Sequence, residues 1–181
     1  MTVEVVPYDP AWPDRFARIR QELHRLLDGV PVLAIEHVGS TSVPGLAAKP
    51  VIDVDVVVGR QDVDAAVAAL ERGGYRYRGD LGIADRHSLA EPDDGVRRNV
   101  YVVVDGSLAL RNHLAVRAAL RDDPELRAHY AALKEALAAR VTTIEEYVPG
   151  KTALLVGILR DAGFTDGELA EIDAANRPRG D

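Results

Sequence analysis

Two aspartates stand two positions apart in an apolar run, Val51-Ile52-Asp53-Val54-Asp55-Val56-Val57-Val58. On a strand the side chains alternate, so both carboxylates share one face, ~6.5–7 Å apart at Cα, and Ile52, Val54 and Val56 take the other. Like charges so placed repel, and a buried sheet holds them only with a cation or donors between them. Paired carboxylates suit Mg²⁺ (or Mn²⁺), a hard ion that shares its shell with substrate phosphates. Just upstream, Gly39-Ser40-Thr41-Ser42 offers backbone N–H groups and hydroxyls, the material of a phosphate cradle. Together they point to metal-assisted chemistry on a phosphate-bearing substrate. Asp53 and Asp55 are the catalytic metal ligands in this reading, and Gly39, Ser40 and Thr41 the phosphate contacts. The plainer readings are ordinary alternation on a solvated strand and a turn using glycine for its φ. A Walker loop is excluded, since no Gly-Lys-[Ser/Thr] follows the glycine. Ser40 lacks a Gly-x-Ser-x-Gly elbow, so His37 reads as a satisfied core histidine or a support to the site, not part of a hydrolytic triad.

The elements that must position these residues follow from pattern. Val32–Val38 is a strand, followed at once by the loop and a connector fenced by Pro44 and Pro50. Val3–Val6 reads as an edge strand or an arm. A helix starts at Pro13 and carries Phe16, Ile19, Leu23 and Leu26 on one stripe, ended by Asp28-Gly29, with Trp12 packing on it rather than stacking on a base. Asp62 is a candidate N-cap for a helix over 63–72 that Gly73-Gly74 stops. Strands are expected at 75–77, 86–91 and 99–104, separated by the loop Gly79–Asp85 and the turn Pro92–Gly95. Such short turns favour antiparallel neighbours, so the sheet should be mixed. The last third is helical: Leu110, Leu114 and Ala118 share a face. A new helix starts at Asp123-Pro124 with Leu126, Tyr130, Leu133 and Leu137. Thr143–Tyr147 is a bridge, and 149–161 is a final helix. The expected division is one domain over 1–165 and a polar, frayed tail over 166–181.

Composition bounds the function. The chain has 181 residues, enough for one domain with a sizeable core. A net charge of −7 argues against general nucleic-acid affinity. With no cysteine, disulfides, thiolate catalysis and Cys-based zinc sites are excluded. No signal peptide opens the chain and no apolar run reaches bilayer length, so a cytoplasmic protein without a membrane partner is expected.

The string His37-Val38-Gly39-Ser40-Thr41-Ser42-Val43-Pro44-Gly45-Leu46-Ala47-Ala48-Lys49-Pro50-Val51-Ile52-Asp53-Val54 resembles the GrpB-like family of the nucleotidyltransferase superfamily, which also occurs as the C-terminal domain of some bacterial dephospho-CoA kinases. Tyr8-Asp9-Pro10-Ala11-Trp12, Gly74-Tyr75, Gly82-Ile83 with Arg86, Tyr130 with Leu133-Lys134, and Tyr147 with Lys151 look like further landmarks, so the likeness covers residues 3–162. It implies an α/β (α+β) architecture, a nucleotidyltransferase-like mixed sheet packed with helices, and nucleotidyl transfer from an NTP to an unidentified acceptor. Lys49, Arg86, Lys134 and Lys151 become candidates to neutralise the triphosphate, against the ordinary fate of solvated basic side chains. One departure stands out. Nucleotidyltransferases usually carry a third carboxylate on a later strand, and Asn99–Val104 has none; family members often have histidines there, where this chain has Asn99 and Tyr101. Asp105, at the end of that strand, is the candidate substitute as a metal ligand, against a turn or helix-cap role. Two functions therefore stay open: a Mg²⁺-dependent nucleotidyltransferase, or a non-catalytic nucleotide-binding or assembly domain. The oligomeric state is not readable.

Overall fold

The computed structural model describes residues 4–93, 95–140 and 144–176, with backbone alone over 144–149. Five strands, β1 (Val32–Val38), β2 (Ile52–Val58), β3 (Arg76–Tyr77), β4 (Arg86–Ala90) and β5 (Arg98–Val104), form one sheet in the order β1-β2-β5-β4-β3. β2 and β5 run parallel, and every other pair is antiparallel. The mixed sheet is as expected. The parallel central pair decides the site, because it fixes which end of β5 lies beside the aspartates.

The two faces of the sheet differ. Ile52, Val54, Val56 and Val58 of β2 join Val100, Val102 and Val104 of β5 in the main core. Helices α1 (Trp12–Leu26) and α2 (Val63–Arg72) cover it through Ile19, Leu23, Val67 and Leu70. Trp12 is fully buried there, with Tyr8 edge-on at 5.2 Å, which bears out the packing reading. Val6 makes a single antiparallel bridge to Ala48; Val3, the start of the expected edge strand or arm, lies outside the described residues. Asp62 sits at the N-cap of α2 but makes no capping bond with its side chain. Burying Arg98 at the start of β5 is possible because Glu22 and the Tyr75 hydroxyl accept from its guanidinium at 3.0 and 2.7 Å.

The opposite face is polar at one end and apolar at the other. Val57, Val103 and Leu110 make a small core under α3 (Leu108–Asp122). α4 (Pro124–Arg140) starts where the Asp123 carboxylate accepts from the amides of Glu125 and Leu126, both at 2.9 Å. α5 begins earlier than its pattern suggests, at Ile144, and runs to Asp161, so part of the expected bridge is helix. Ala118 faces solvent, off the stripe assigned to it. Among the described residues no helix is long and apolar enough to cross a membrane.

The expected tail needs correction. Residues 166–175 form α6 (Asp166–Ala175), opened by a capping box in which Thr165 and Glu168 satisfy each other's amides. Leu169 and Ile172 bury against Leu159 and Phe164. A short apolar pair on one face of an otherwise polar segment is enough to dock it.

Candidate functional site

The polar end of the α3-side face gathers the acids. Register puts Asp53 between Val38 and Asn99, and Asp55 between Glu36 and Tyr101. Asp55 is 0 % exposed. Its Oδ2 accepts from His113 Nδ1 of α3 across 2.7 Å, while its Oδ1 is buried without a partner among the described residues. Asp53 is less enclosed, and its Oδ1 accepts from Asn99 Nδ2 at 2.8 Å. Burial pushes the Asp53 carboxyl up; the Asn99 bond and the nearby His113 and Lys151 pull it back, and the Asp55 charge adds to the rise. So the repelling pair has donors around it, and one buried oxygen still lacks a positive partner.

The loop after β1 meets Asp53 directly. Gly39 has φ +68° with ψ −175°, and a Cβ there would collide with Asp53 Oδ2. Only glycine satisfies both the backbone conformation and the approach. Ser40 opens a 3-10 turn over Ser40–Ser42, whose first amides have no partner inside the turn. Its half-exposed hydroxyl is the loop oxygen left for a ligand. Thr41 is not so placed. It is buried, its hydroxyl donates to Val51 O at 3.3 Å, and it accepts from His37 Nε2 at 3.0 Å. The Thr41 hydroxyl therefore supports the loop from behind and is not the phosphate contact expected of it; its amide stays on the loop with that of Ser40. His37 stacks on Phe16 at 4.6 Å; burial, then Arg121 and Arg117, lower it to about 4, so the ring is neutral. It is the satisfied core histidine.

The lysines converge. Lys49 lies near Asp53, whose charge favours its protonated form against the larger effect of burial. Lys151 is lowered to about 8 by burial and by Lys49, with Asp53 opposing. Lys134 is lowered to about 7 by burial and by Lys151; its amine donates to Ala47 O and sits 4.8 Å from the Tyr130 ring centre. Lys49 and Lys151 thus lie near Asp53 at the end of the loop, while Lys134, 2 % exposed, is tied to Ala47 O and feels the charge of Lys151. Arg86 is on the same sheet face but farther along: its guanidinium lies 4.6 Å from the Tyr101 ring centre, and its Nε is buried without a partner.

Asp105 is elsewhere. In the parallel register Asp53 is level with Asn99 and Val58 with Val104, and the Asp105 amide donates to Val58 O at 2.9 Å. It lies beyond the far end of β2, exposed, in the turn before α3, whose cap is Ser107. It cannot complete a metal site with Asp53 and Asp55. Among the described residues no three His, Asp or Glu side chains group as a metal cage. Two carboxylates, one with a partnerless buried oxygen, still fit a single cation that takes its remaining ligands from phosphates and water.

His113 carries no motif and sequence reading passed over it. The available signal was the four-residue spacing of His113, Arg117 and Arg121, which puts all three on one side of α3. His113 and Arg86 also line a small solvent-open cleft of about 90 Å³, walled by Ile83, Leu108 and Ile172 of α6.

Comparison with known proteins agrees with the fold. GrpB of Enterococcus faecalis superposes with a TM-score of 0.78 at 36% identity, over 88% of this chain and 96% of that one. GLD-2, solved with RNP-8, superposes at 0.53 with 16% identity over 83% of this chain and 59% of its own. Cid1 poly(U) polymerase, solved with Mg and 3'-dATP, gives 0.50 with 13% identity over 82% and 50%. These two share the fold, which is nucleotidyltransferase-like. The UPF0157 protein YqkA of Bacillus subtilis is 34% identical over 82% of this chain and 44% of its own length. A dephospho-CoA kinase of Mycolicibacterium paratuberculosis is 32% identical over 82% and 43%. The chain thus spans under half the length of either of these curated relatives. The GrpB protein family model matches residues 2–161, and with these relatives it establishes that the chain belongs to the GrpB family.

Proposed function

We propose that this chain, with Mg²⁺ (or Mn²⁺) held by Asp53 and Asp55, transfers a nucleotidyl group from an NTP to a small-molecule or protein acceptor, in the cytoplasm where NTPs are made. The observation that carries the reading is the same-face acid pair: Asp55 Oδ1 is buried without a partner among the described residues, and Asp53 meets the Gly39 loop and lies near Lys49 and Lys151. The ion, when bound, supplies positive charge that polarises the phosphate and screens it from the carboxylates. Gly39 and Ser40 orient the outer phosphates, and Lys49, Lys134 and Lys151 offset their charge. The acceptor's oxygen or nitrogen bonds to the α-phosphorus, the bond to the bridging oxygen breaks, and pyrophosphate leaves. The acceptor's proton goes to His113 Nε2, the nitrogen left basic when Nδ1–H is donated to Asp55. Calorimetry with Mg²⁺-NTP on the parent and on Asp53→Asn with Asp55→Asn tests the site; equal binding by both sinks the metal reading. Pyrophosphate release on adding candidate acceptors tests the reaction.

A second reading has its own support. Asn99 and Tyr101 occupy the β5 positions beside the two aspartates, so no third acid is available there. The chain would then bind a nucleotide without turning it over, as an assembly or chaperone-like module, a reading its match to part of a dephospho-CoA kinase leaves room for. Saturable Mg²⁺-NTP binding with no pyrophosphate under any acceptor favours this reading.

A further inference from the structure

A second cavity lies along the open edge of the sheet, away from the lysines. β1 is the edge strand, and α1, the Ser40–Ser42 turn and the C-terminal half of α3 enclose a solvent-open hollow of about 400 Å³ beside it. One wall is apolar, from Tyr8, Pro13, Phe16, Ile35 and Pro44. The rest is cationic: Arg20, Arg117 and Arg121 stand against the single carboxylate of Glu36, and His37 is neutral. Three guanidiniums facing one acid leave two positive charges in a chain whose net charge is −7.

The guanidiniums are held in place but not used up. Arg117 donates to Glu36 Oε2 and to His37 O, both at 2.7 Å, which fixes it on the edge strand. Arg121 donates Nε and one terminal nitrogen to Ser42 O at 3.0 and 2.6 Å, leaving its other terminal nitrogen with no protein acceptor among the described bonds. Arg20 is exposed and lies 5.8 Å from the Phe16 ring centre. Burial, then the neighbouring Arg117, lowers Arg121, while Glu36, Tyr8 and Asp122 favour its charge. A fork-shaped donor fixed by its own backbone bonds is preorganised for a planar or tetrahedral oxyanion.

We propose that this cavity is a binding site for a small amphipathic anion, a phosphate monoester or carboxylate whose apolar group rests on the Phe16–Pro44 wall while its oxyanion meets Arg20 and Arg121. The site is separate from the metal-nucleotide site and stands whether or not the proposed transfer occurs. The probes are phenyl phosphate, benzoate and inorganic phosphate, titrated calorimetrically into the full chain. Phenyl phosphate or benzoate should bind saturably and about tenfold or more tighter than inorganic phosphate, since only they use the apolar wall. Arg20→Glu, at an exposed position that leaves the fold intact, should weaken the organic anions by about tenfold or more. Arg121→Gln should do the same, and Asp53→Asn should leave them within about twofold. No binding of either organic anion overturns the proposal. So does binding that Arg20→Glu leaves unchanged, or that Ser40→Ala abolishes, because the probe would then sit in the nucleotide loop.

Discussion

His113 on α3 reaches across the sheet to Asp55 on β2, Nδ1 to Oδ2 at 2.7 Å, and this bond is the protein partner seen for a carboxylate with no exposure to solvent. Replacing His113 by Ala would leave both Asp55 oxygens buried and unbonded. A loss of about 1–3 kcal/mol in denaturant-derived stability is expected. His113→Asn, which keeps a donor, should recover part of that stability. If His113 takes the acceptor's proton, neither variant recovers turnover, while Mg²⁺-NTP binding persists in His113→Asn. Turnover at the parental rate in His113→Asn would remove the ring from the chemistry.

Gly39→Ala forces a Cβ onto the Asp53 carboxylate at a backbone conformation that L residues avoid. Strain of about 1–3 kcal/mol is expected from the backbone alone, seen as a lowered melting temperature. Nucleotide affinity should fall further than the Ser40→Ala change produces, because the acid itself is displaced.

Ser40→Ala separates a ligand contact from a turn residue. The hydroxyl is half-exposed and the turn is already closed by Ser42 Oγ donating to Gly39 O at 2.6 Å. Melting should hardly change, while triphosphate affinity drops by about 1–3 kcal/mol, the scale of a charged hydrogen bond. Unchanged affinity with a lowered melting point would make Ser40 structural.

Lys134 and Lys151 give the site a pH dependence. Burial leads their lowering, to about 7 and about 8 from 10.5. The folded chain therefore sheds these protons before the unfolded chain does, and stability rises with pH from about 7 toward the unfolded lysine value. A bound triphosphate favours the charged amines and raises both values. Binding should take up protons near pH 8, and affinity should fall as pH climbs above about 8. Calorimetry in buffers of different ionisation heats measures the uptake; heats independent of the buffer would show that these amines do not face the phosphates.

Alternation alone placed Asp53 and Asp55 on one face, and adjacency in the chain placed Gly39 beside them. Lys49 was legible from its place between the loop and the Asp strand, while Lys134 and Lys151 were legible only through the family's later landmarks, since their position depends on how α4 and α5 dock. Asp105 shows where pattern stops. Side-chain parity is the same for parallel and antiparallel pairing, but the direction of β5 against β2 decides whether position 99 or position 105 lies beside Asp53. His113 was hidden for a similar reason, as the facing of α3 is set by packing. α6 was readable: Thr165 and Glu168 have capping-box spacing, and the polar residues around Leu169 and Ile172 masked it.

The family model's match ends at residue 161, five positions before α6 starts at Asp166. Yet Glu171, Ile172, Ala175 and Asn176 form one side of the cleft onto which His113 and Arg86 open. The acids, the loop and the lysines lie within the matched segment, and this part of the cleft lies outside it. On the proposed reading, selectivity for what enters would be exchanged by swapping α6 alone, like a key bit on a common shank, with the reacting groups left untouched.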